Sequence, residues 1–251
     1  DLMNSRIKYI DIIMPNYNKE KDLKKSINSV INQTYKFWKL YIIDDGSNDN
    51  SISILKKYEK KKKIKIIFLK KNRGPSYCRN LGLQLSRSKI ICFLDSDDFW
   101  ESQKVEKQLL FMKKNNYDFI YSDYYYKKNN VQYKTNITNF FNFEKFILNS
   151  GINTSTIMIK KKILKKIKFK NSSFEDYIFK CDVFKKGFLA HKSSYISAHY
   201  IKSKNSRSKN KFKNLINLFN VNKKFIKLSF FSNIKSVIFI SINYLKKYRF
   251  L

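Results

Sequence analysis

The chain has 251 residues, of which 43% are hydrophobic, so it can bury a full core and its composition excludes global disorder. Its formal net charge is +34, yet only six of the 53 cations are Arg. Because Arg is the usual bidentate reader of bases and phosphates, this balance disfavours specific nucleic-acid recognition and leaves non-specific polyanion binding open. The three cysteines (Cys78, Cys92 and Cys181) cannot all pair, which favours a reducing, cytoplasmic compartment.

Apolar runs and helical spacings alternate along the first half of the chain. Continuous apolar runs predict strands at 10–14, 40–43, 64–69, 89–94 and 119–122. Apolar residues at helical intervals predict helices at 22–31, 50–58, 76–85 and 102–114. This alternation favours an α/β fold, a Rossmann-like, mostly parallel sheet with helices on both faces.

Three polar segments directly follow predicted strands. They are residues 15–18, the pair Asp44 and Asp45, and the acidic group at 95–98. Since ligands of parallel sheets bind beyond the carboxyl ends of the strands, we expect the three segments to converge on one rim. An isolated Asp-x-Asp is more often a solvated turn, and this convergence is what favours a cation site here. Clustered carboxylates repel one another, and oxygen ligands suit Mg²⁺ or Mn²⁺.

Residues 131–200 are less regular. Residues 154–159 predict a strand, residues 161–167 predict a short helix, and another helix is predicted to begin at 174. Glu175 and Asp176 lie in the first turn of that last helix. Carboxylates are favoured there by the helix dipole, so the sequence leaves open whether the pair only caps the helix or also carries chemistry.

The last quarter of the chain is basic. Asp182 is the last acidic residue, and residues 183–251 hold 14 Lys and 2 Arg. Residues 212–228 and 234–245 carry apolar side chains at helical intervals, and the second run is too short to span a bilayer. We therefore expect a C-terminal basic helical extension at 201–251, which either lies on an anionic membrane or packs on the domain or on a second subunit.

Five motifs, in order and in spacing, give the chain a family resemblance. They are residues 12–18 (Ile-Ile-Met-Pro-Asn-Tyr-Asn), 29–35 (Ser-Val-Ile-Asn-Gln-Thr-Tyr), 42–49 (Ile-Ile-Asp-Asp-Gly-Ser-Asn-Asp), 72–82 (beginning Asn-Arg-Gly-Pro-Ser) and 93–98 (Phe-Leu-Asp-Ser-Asp-Asp). As a set they resemble glycosyltransferase family 2, which has the GT-A fold, and in particular enzymes of surface polysaccharide assembly. Residues 154–158 and 174–177 resemble the acceptor-side strand and the Glu-Asp motif of the same family.

The resemblance implies an inverting, metal-dependent hexosyltransferase. It implies a nucleotide-sugar donor of the UDP type, Mn²⁺ or Mg²⁺, and a glycan or lipid-linked acceptor. The implied domain is 3–200, with a donor half at 3–125 and an acceptor half at 126–200. By matched position, the implied site residues are Pro15, Tyr17 and Asn18 in the nucleotide pocket, Asp45 on the base, Arg79 and Ser96 on the donor side, Asp95 near the ribose, Asp97 on the metal and Asp176 as general base.

Two positions depart from the family pattern. Ile201 follows Tyr200 where members often carry Arg, and Tyr-Ile-Phe-Lys follows Glu-Asp where a Trp-containing stretch is commoner.

Two other functions compete with the transferase. One is a non-catalytic, Lys-rich binder of polyanions or membranes on a degenerate GT-A fold. The other is a nucleotidyltransferase, which calls for a Gly-rich phosphate loop where this chain has residues 15–18. The expected partners are the donor, the acceptor, an anionic membrane at its cytoplasmic face and a second copy through the C-terminal helices. No specific nucleic acid is expected.

Overall fold

The computed structural model describes residues 9–128, 131–201 and 211–249. Residues 3–8 and 129–130 of the predicted domain, and 202–210 and 250–251 of the predicted extension, lie outside the described residues. The helices are α1 (Leu23–Ile31), α2 (Ser51–Lys56), α3 (Pro75–Leu85), α4 (Lys104–Lys114), α5 (Phe143–Asn149), α6 (Glu175–Lys185), α7 (Lys211–Val221) and α8 (Phe230–Arg249). The strands are β1 (Ile10–Asn16), β2 (Trp38–Asp44), β3 (Ile64–Phe68), β4 (Ile90–Phe93), β5 (Phe99–Trp100), β6 (Phe119–Lys128), β7 (Val131–Lys134), β8 (Phe140–Phe141), β9 (Met158–Lys160) and β10 (Ala190–Tyr200).

The described strands form one mixed sheet with a parallel core. Its order is β3-β2-β1-β4-β9-β6-β10-β5, with β7 paired to β6 and β8 paired to β10. Strands β3, β2, β1 and β4 are mutually parallel, and β10 is parallel to β6. Strand β9 runs antiparallel between β4 and β6. The prediction of a mostly parallel α/β sheet is confirmed.

Strand β1 shows why the apolar runs predict strands. Ile10, Ile12, Ile13 and Met14 are all 0% exposed, because the strand is covered on both faces. Its one carboxylate, Asp11, accepts hydrogen bonds from the backbone N–H groups that follow α3, at 2.6 and 2.8 Å. Burial of this charge is therefore compensated by two charge-assisted bonds, which also fix the turn that leads into β4.

Two predictions in the second half are wrong. Residues 154–159 do not form one strand, since Thr154–Thr156 is a 3₁₀ helix and only Met158–Lys160 is a strand. The side chain of Asn153 accepts a bond from Ser155 N at 2.7 Å, and such local bonds compete with strand pairing. Residues 161–167 form only a 3₁₀ helix at Lys161–Leu164 rather than a longer helix.

The C-terminal extension is helical, as predicted, and it packs on the domain. It consists of α7, a π-helical segment (Asn222–Ile226) and α8. Leu218, Val221 and Ile226 are buried in the same hydrophobic cluster as the sheet. Among the described residues, no helix is both long enough and apolar enough to cross a bilayer.

Candidate active site

The loops after β1 and β2 are tied together by buried polar groups. Asp44 accepts bonds from Asn16 Nδ2 at 2.7 Å and from the Ser47 backbone N–H at 3.0 Å. Asn18 N donates to Ser47 Oγ at 3.0 Å, and the Asn18 side chain exchanges two bonds with Asn48. Asp44 is 0% exposed, so it shapes this rim from within.

The predicted nucleotide-pocket residues lie on this rim. Pro15 is the penultimate residue of strand β1, and Tyr17 follows the strand with 42% of its surface exposed. Asn18 has φ 51°, a left-handed conformation that Asn tolerates better than most residues. The structure therefore presents an open aromatic ring beside a fixed amide at the end of β1.

Asp45 is turned toward the loop that precedes α3. Its two carboxylate oxygens accept the backbone N–H groups of Arg73 and Gly74 at 2.7 and 2.8 Å, and the residue is 2% exposed. Gly74 has φ 85°, which favours glycine at that turn. A carboxylate has about four acceptor positions, so the two bonds leave capacity for a ligand donor. The role of Asp45 on a base stays a prediction.

Asp95 and Asp97 extend from the end of β4 and differ in their partners. Asp95 accepts a bond from Arg79 at 2.7 Å, and Asp97 Oδ2 lies 2.5 Å from Lys19 Nζ. Burial and the neighbouring Asp95 raise the pKa of Asp97, although Lys19 acts against the shift. Ser96, between them, is 3% exposed, and its carbonyl oxygen accepts the Ser26 hydroxyl. Asp97 therefore sits where a cation is favourable.

Asp98, for which the sequence suggests no task, is a buried structural acid. It is 1% exposed and accepts bonds from Ser155 Oγ at 2.6 Å and from Ile201 N at 3.1 Å. Burial and the charges of Asp95 and Asp97 raise its pKa well above the ordinary value. Asp98 thus joins the loop after β4 to the end of β10. Only its position as the last residue of the acidic motif could have marked it in the sequence.

Arg79 connects the donor-side acids to α6. Its guanidinium donates to Asp95 at 2.7 Å and to Glu175 at 3.1 Å, and it is 4% exposed. Burial acts to lower the pKa of Arg79, but the two carboxylates outweigh burial and raise it. Because one side chain touches both groups, the end of β4 and the start of α6 are held within its span.

The pair Glu175 and Asp176 separates into an inner and an outer acid. Glu175 faces Arg79, while the side chain of Asp176 is 42% exposed and accepts Lys180 Nζ at 2.8 Å. Burial acts to raise the pKa of Asp176, but Lys180, Arg79 and the Tyr177 N–H, of which Lys180 has the largest effect, together outweigh burial and hold this pKa below the ordinary value. Asp176 also accepts the Tyr177 N–H at 2.8 Å. It therefore contributes to the helix start and still presents an ionised oxygen outward.

The acids at the end of β4 suit a divalent cation that is shared with a ligand. In the described part of the chain, no group of three or more His, Cys, Asp or Glu side chains converges to hold a metal. A cage made only by protein is not required, since Mg²⁺ often binds through one or two carboxylates plus substrate phosphates. The Lys19 ammonium against Asp97 shows that this carboxylate accepts a cationic partner. Asp97, with Asp95 beside it, fits such a cation by donor chemistry.

Comparisons with known proteins show which family and which fold the chain resembles. Residues 11–188 match the model of Glycosyl transferase family 2. An uncharacterized glycosyltransferase of Haemophilus influenzae is 34% identical over 96% of this chain and 98% of its own. The Escherichia coli UDP-Glc:alpha-D-GlcNAc-diphosphoundecaprenol beta-1,3-glucosyltransferase WfgD is 34% identical over 82% of each chain. The structure of S. aureus TarS 1-349 in complex with UDP-GlcNAc superposes with a TM-score of 0.72 and 17% identity, over 95% of this chain and 73% of that one.

Proposed function

The chain belongs to glycosyl transferase family 2 and is a glycosyltransferase, and on that premise we propose that it uses a UDP-sugar as donor. The sugar would pass with inversion, and with the help of a divalent cation, to a hydroxyl of a glycan or lipid-linked acceptor. Membership in a family of enzymes weighs against the non-catalytic polyanion binder.

One observation carries the proposal. The buried Arg79 touches Asp95 on one side and Glu175 on the other, at 2.7 and 3.1 Å. Asp97, the proposed metal ligand, lies two residues beyond Asp95, and Asp176, the proposed base, is the neighbour of Glu175. One guanidinium therefore holds Asp95 and Glu175, which lie close in sequence to the proposed metal ligand and the proposed base, and this supports a donor site and an acceptor site that are near each other.

The donor is proposed to lie along the loops after β1, β2 and β4. Tyr17 and Asn18 would contact the nucleotide beside Pro15, and Asp45 would accept from the base while it holds the loop before α3. Asp95 and Ser96 would face the ribose. The names of WfgD and of the TarS complex mention UDP-Glc and UDP-GlcNAc, which supports a UDP-sugar.

A divalent cation, Mn²⁺ or Mg²⁺, would be held by Asp97 with Asp95 beside it. When bound, such an ion supplies Lewis-acid stabilisation of the charge that develops on the leaving diphosphate. Burial of Asp97 strengthens its demand for a cation, since the raised pKa reflects a charge that lacks full compensation.

Asp176 is proposed to take the proton of the acceptor hydroxyl. As the acceptor oxygen bonds to the anomeric carbon, the bond from that carbon to UDP breaks and the hydroxyl proton moves to Asp176. A single displacement of this kind inverts the anomeric centre. Asp176 is ionised near neutral pH, as an acceptor of a proton must be, because its neighbours hold its pKa below the ordinary value.

The acceptor is proposed to be lipid-linked. The name of WfgD includes a diphosphoundecaprenol acceptor, and such a carrier resides in a membrane. We therefore place the enzyme at the cytoplasmic face of a membrane, as a peripheral protein.

The first test is UDP release from a panel of nucleotide sugars with Mn²⁺ and a lipid-linked acceptor. Asp97→Asn should lose cation-dependent UDP binding. The matched control is Asp118→Asn, because Asp118 is also ion-paired with Lys (2.7 Å to Lys160) but lies at the start of β6, away from the site. Equal loss in both variants, or no donor turned over by the native chain, contradicts the donor and metal assignments.

The second test separates the base from the donor site. Asp176→Asn should lower kcat by about 10²-fold or more while UDP affinity is kept. Asp182→Asn, on the same helix and ion-paired to Lys170 at 2.9 Å, is the control and should retain activity. Loss of UDP affinity together with transfer in Asp176→Asn would make Asp176 a structural residue.

A further inference from the structure

Helix α8 has its most apolar face turned away from the protein. Phe230, Phe231, Ile234, Ile238, Phe239 and Ile242 are between 37% and 82% exposed. At about 100° per residue, these positions share one half of the helix surface. We call them the outer face of α8. A contiguous apolar surface of this kind on a folded protein marks an interaction site.

The opposite face of α8 is fixed by buried polar bonds. Asn233 and Ser236 are 2% and 0% exposed, and both pair with Asn222 of the π-helical segment, at 3.0 and 3.1 Å. Ser236 Oγ also donates to the carbonyl of Ile147 in α5. Rotating the helix to bury its apolar side chains would leave these polar groups without partners, at a cost for each one. The outward orientation is therefore built into the fold.

The same polar cluster is joined to the proposed acceptor site. Tyr177 OH donates to Asn222 Oδ1 at 3.0 Å, and Tyr177 directly follows Asp176 at the start of α6. A partner that binds the outer face of α8 would therefore lie in a fixed position relative to the proposed base.

The charges around α8 identify the partner. Lys223, Lys224 and Lys227 are exposed just before the helix, and Lys235 lies within the outer face. The sequence has no Asp or Glu after Asp182, so no acidic side chain of this region opposes an anionic surface. Lys235 can extend its charged end from an apolar layer to the level of lipid phosphates. An apolar face that carries Lys235 and is preceded in the chain by exposed lysines matches an anionic bilayer surface.

We propose that the outer face of α8 docks on an anionic lipid bilayer, with the helix in the plane of the interface and its Phe and Ile side chains among the upper acyl chains. Such docking would bring α6 to a lipid-linked acceptor, and in this respect it rests on the proposed function. The docking surface itself stands on the exposure and the charges of α8. A second copy of the chain is the other occupant that the test distinguishes.

Vesicle binding by the full chain tests the proposal. The native protein should bind vesicles of phosphatidylglycerol and phosphatidylcholine, and bind those of phosphatidylcholine alone more weakly. The double variant Phe231→Ser and Ile238→Ser should bind the anionic vesicles more weakly by about tenfold or more, since it lacks two large apolar side chains whose transfer from water into the acyl chains favours binding. Leu110→Ser on α4 is the matched control, because Leu110 is 44% exposed but distant in sequence from the basic extension, and it should bind as the native chain does.

A spectroscopic variant separates insertion from charge alone. Phe231→Trp should show a blue-shifted emission with anionic vesicles and quenching by brominated lipids, while Trp38 and Trp100, each 4% exposed, give the background. Native-like vesicle binding by the double variant, or an unshifted emission from Phe231→Trp, overturns the proposal. If the native chain forms a dimer that the double substitution dissociates, and does not bind vesicles, the outer face of α8 binds a second copy and the proposal is overturned. Donor binding is measured without vesicles, so failure of the proposed function is recognised separately.

Discussion

Lys180 shows how one buried ammonium controls an outward-facing carboxylate. Its side chain is 2% exposed, and Nζ donates to Asp176 at 2.8 Å and to the carbonyl of Ile152 at 2.8 Å. Lys180 belongs to the stretch Tyr-Ile-Phe-Lys, where a Trp-containing stretch is commoner. In this chain a charged side chain therefore orients Asp176. The other groups that face Asp176 are Thr154, which donates at 3.3 Å, and the more distant charge of Arg79.

Removing the charge of Lys180 should shift the pH dependence of transfer. Lys180→Met removes the main influence that lowers the pKa of Asp176, so that pKa rises. The acidic limb of the kcat profile, where the base becomes protonated, should then move to higher pH. Lys180→Arg keeps the charge and should stay closer to the native profile, and UDP affinity checks that the donor site is intact. An unmoved acidic limb in Lys180→Met would contradict the role of Asp176 as base.

Asp98 should matter for stability rather than for chemistry. Asp98→Ala leaves Ser155 Oγ and Ile201 N without their acceptor, so we expect the free energy of unfolding to fall by about 2–3 kcal/mol in urea titrations. Asp98→Asn keeps an acceptor for Ile201 N and gains a donor for the Ser155 hydroxyl, so it should cost less than the Ala variant. Equal losses for the two variants would mean that the bonds to Asp98 do not set the stability.

At the scale of the elements, buried parallel strands were the most predictable. The apolar runs of β1, β2 and β4 were visible because these strands lie in the covered interior of the sheet. Strand β3 lies at the edge of the sheet and is less buried, but its apolar run marked it as well. Strand β10 was missed because its sequence is polar and its burial alternates irregularly, with a register shift between Ser193 and Ala198. It pairs instead through backbone bonds to β6, β5 and β8, which leave little trace in the order of side chains.

The candidate site was also predictable only in part. The acids at the strand ends could be located because a motif and a strand end coincide. The ion pairs of Arg79 with Asp95 and of Asp97 with Lys19 could not be located, since each joins segments that only tertiary packing brings together. The pair of Asp176 and Lys180 is local, because the two residues are four apart on one helix, and their spacing could have indicated it. The sequence did not predict that the apolar face of α8 points outward. Apolar spacing indicates that a helix has an apolar face, but not whether that face is buried.

The contact between α3 and β1 gives a prediction at this scale. A Cβ on Gly82 would lie 2.5 Å from Ile13 Cγ2, in a buried contact where neither backbone is free to move. Gly82→Ala should therefore lower the free energy of unfolding by about 1–3 kcal/mol, despite the better helix propensity of Ala. Gln84→Ala, at an exposed position of the same helix, is the control for propensity alone. A stabilised Gly82→Ala variant would show that the two elements pack more loosely.

At the scale of the whole molecule, the net charge of +34 does not describe the working surface. Seven of the 19 acidic residues lie at the ends of β2 and β4 and at the start of α6, where a cation, a nucleotide and an acceptor are proposed to meet. The C-terminal extension carries exposed lysines, among them Lys223, Lys224 and Lys227, together with the outer face of α8. The basic extension thus has two parts: an inner side that completes the core, and an outer side that is proposed to meet lipid.

That division predicts the result of truncation. A chain ending at residue 201 loses Leu218, Val221 and Ile226, which are 4%, 6% and 1% exposed, and Tyr177 loses its partner Asn222. Since each buried apolar side chain contributes about 1.5–3 kcal/mol, we expect the Tm to fall by roughly 10 °C. The double variant Phe231→Ser and Ile238→Ser, which alters exposed positions alone, should melt close to the native chain. An unchanged Tm on truncation would mean that the extension is an independent appendage, and only then would loss of vesicle binding in the truncated chain measure docking rather than damage to the fold.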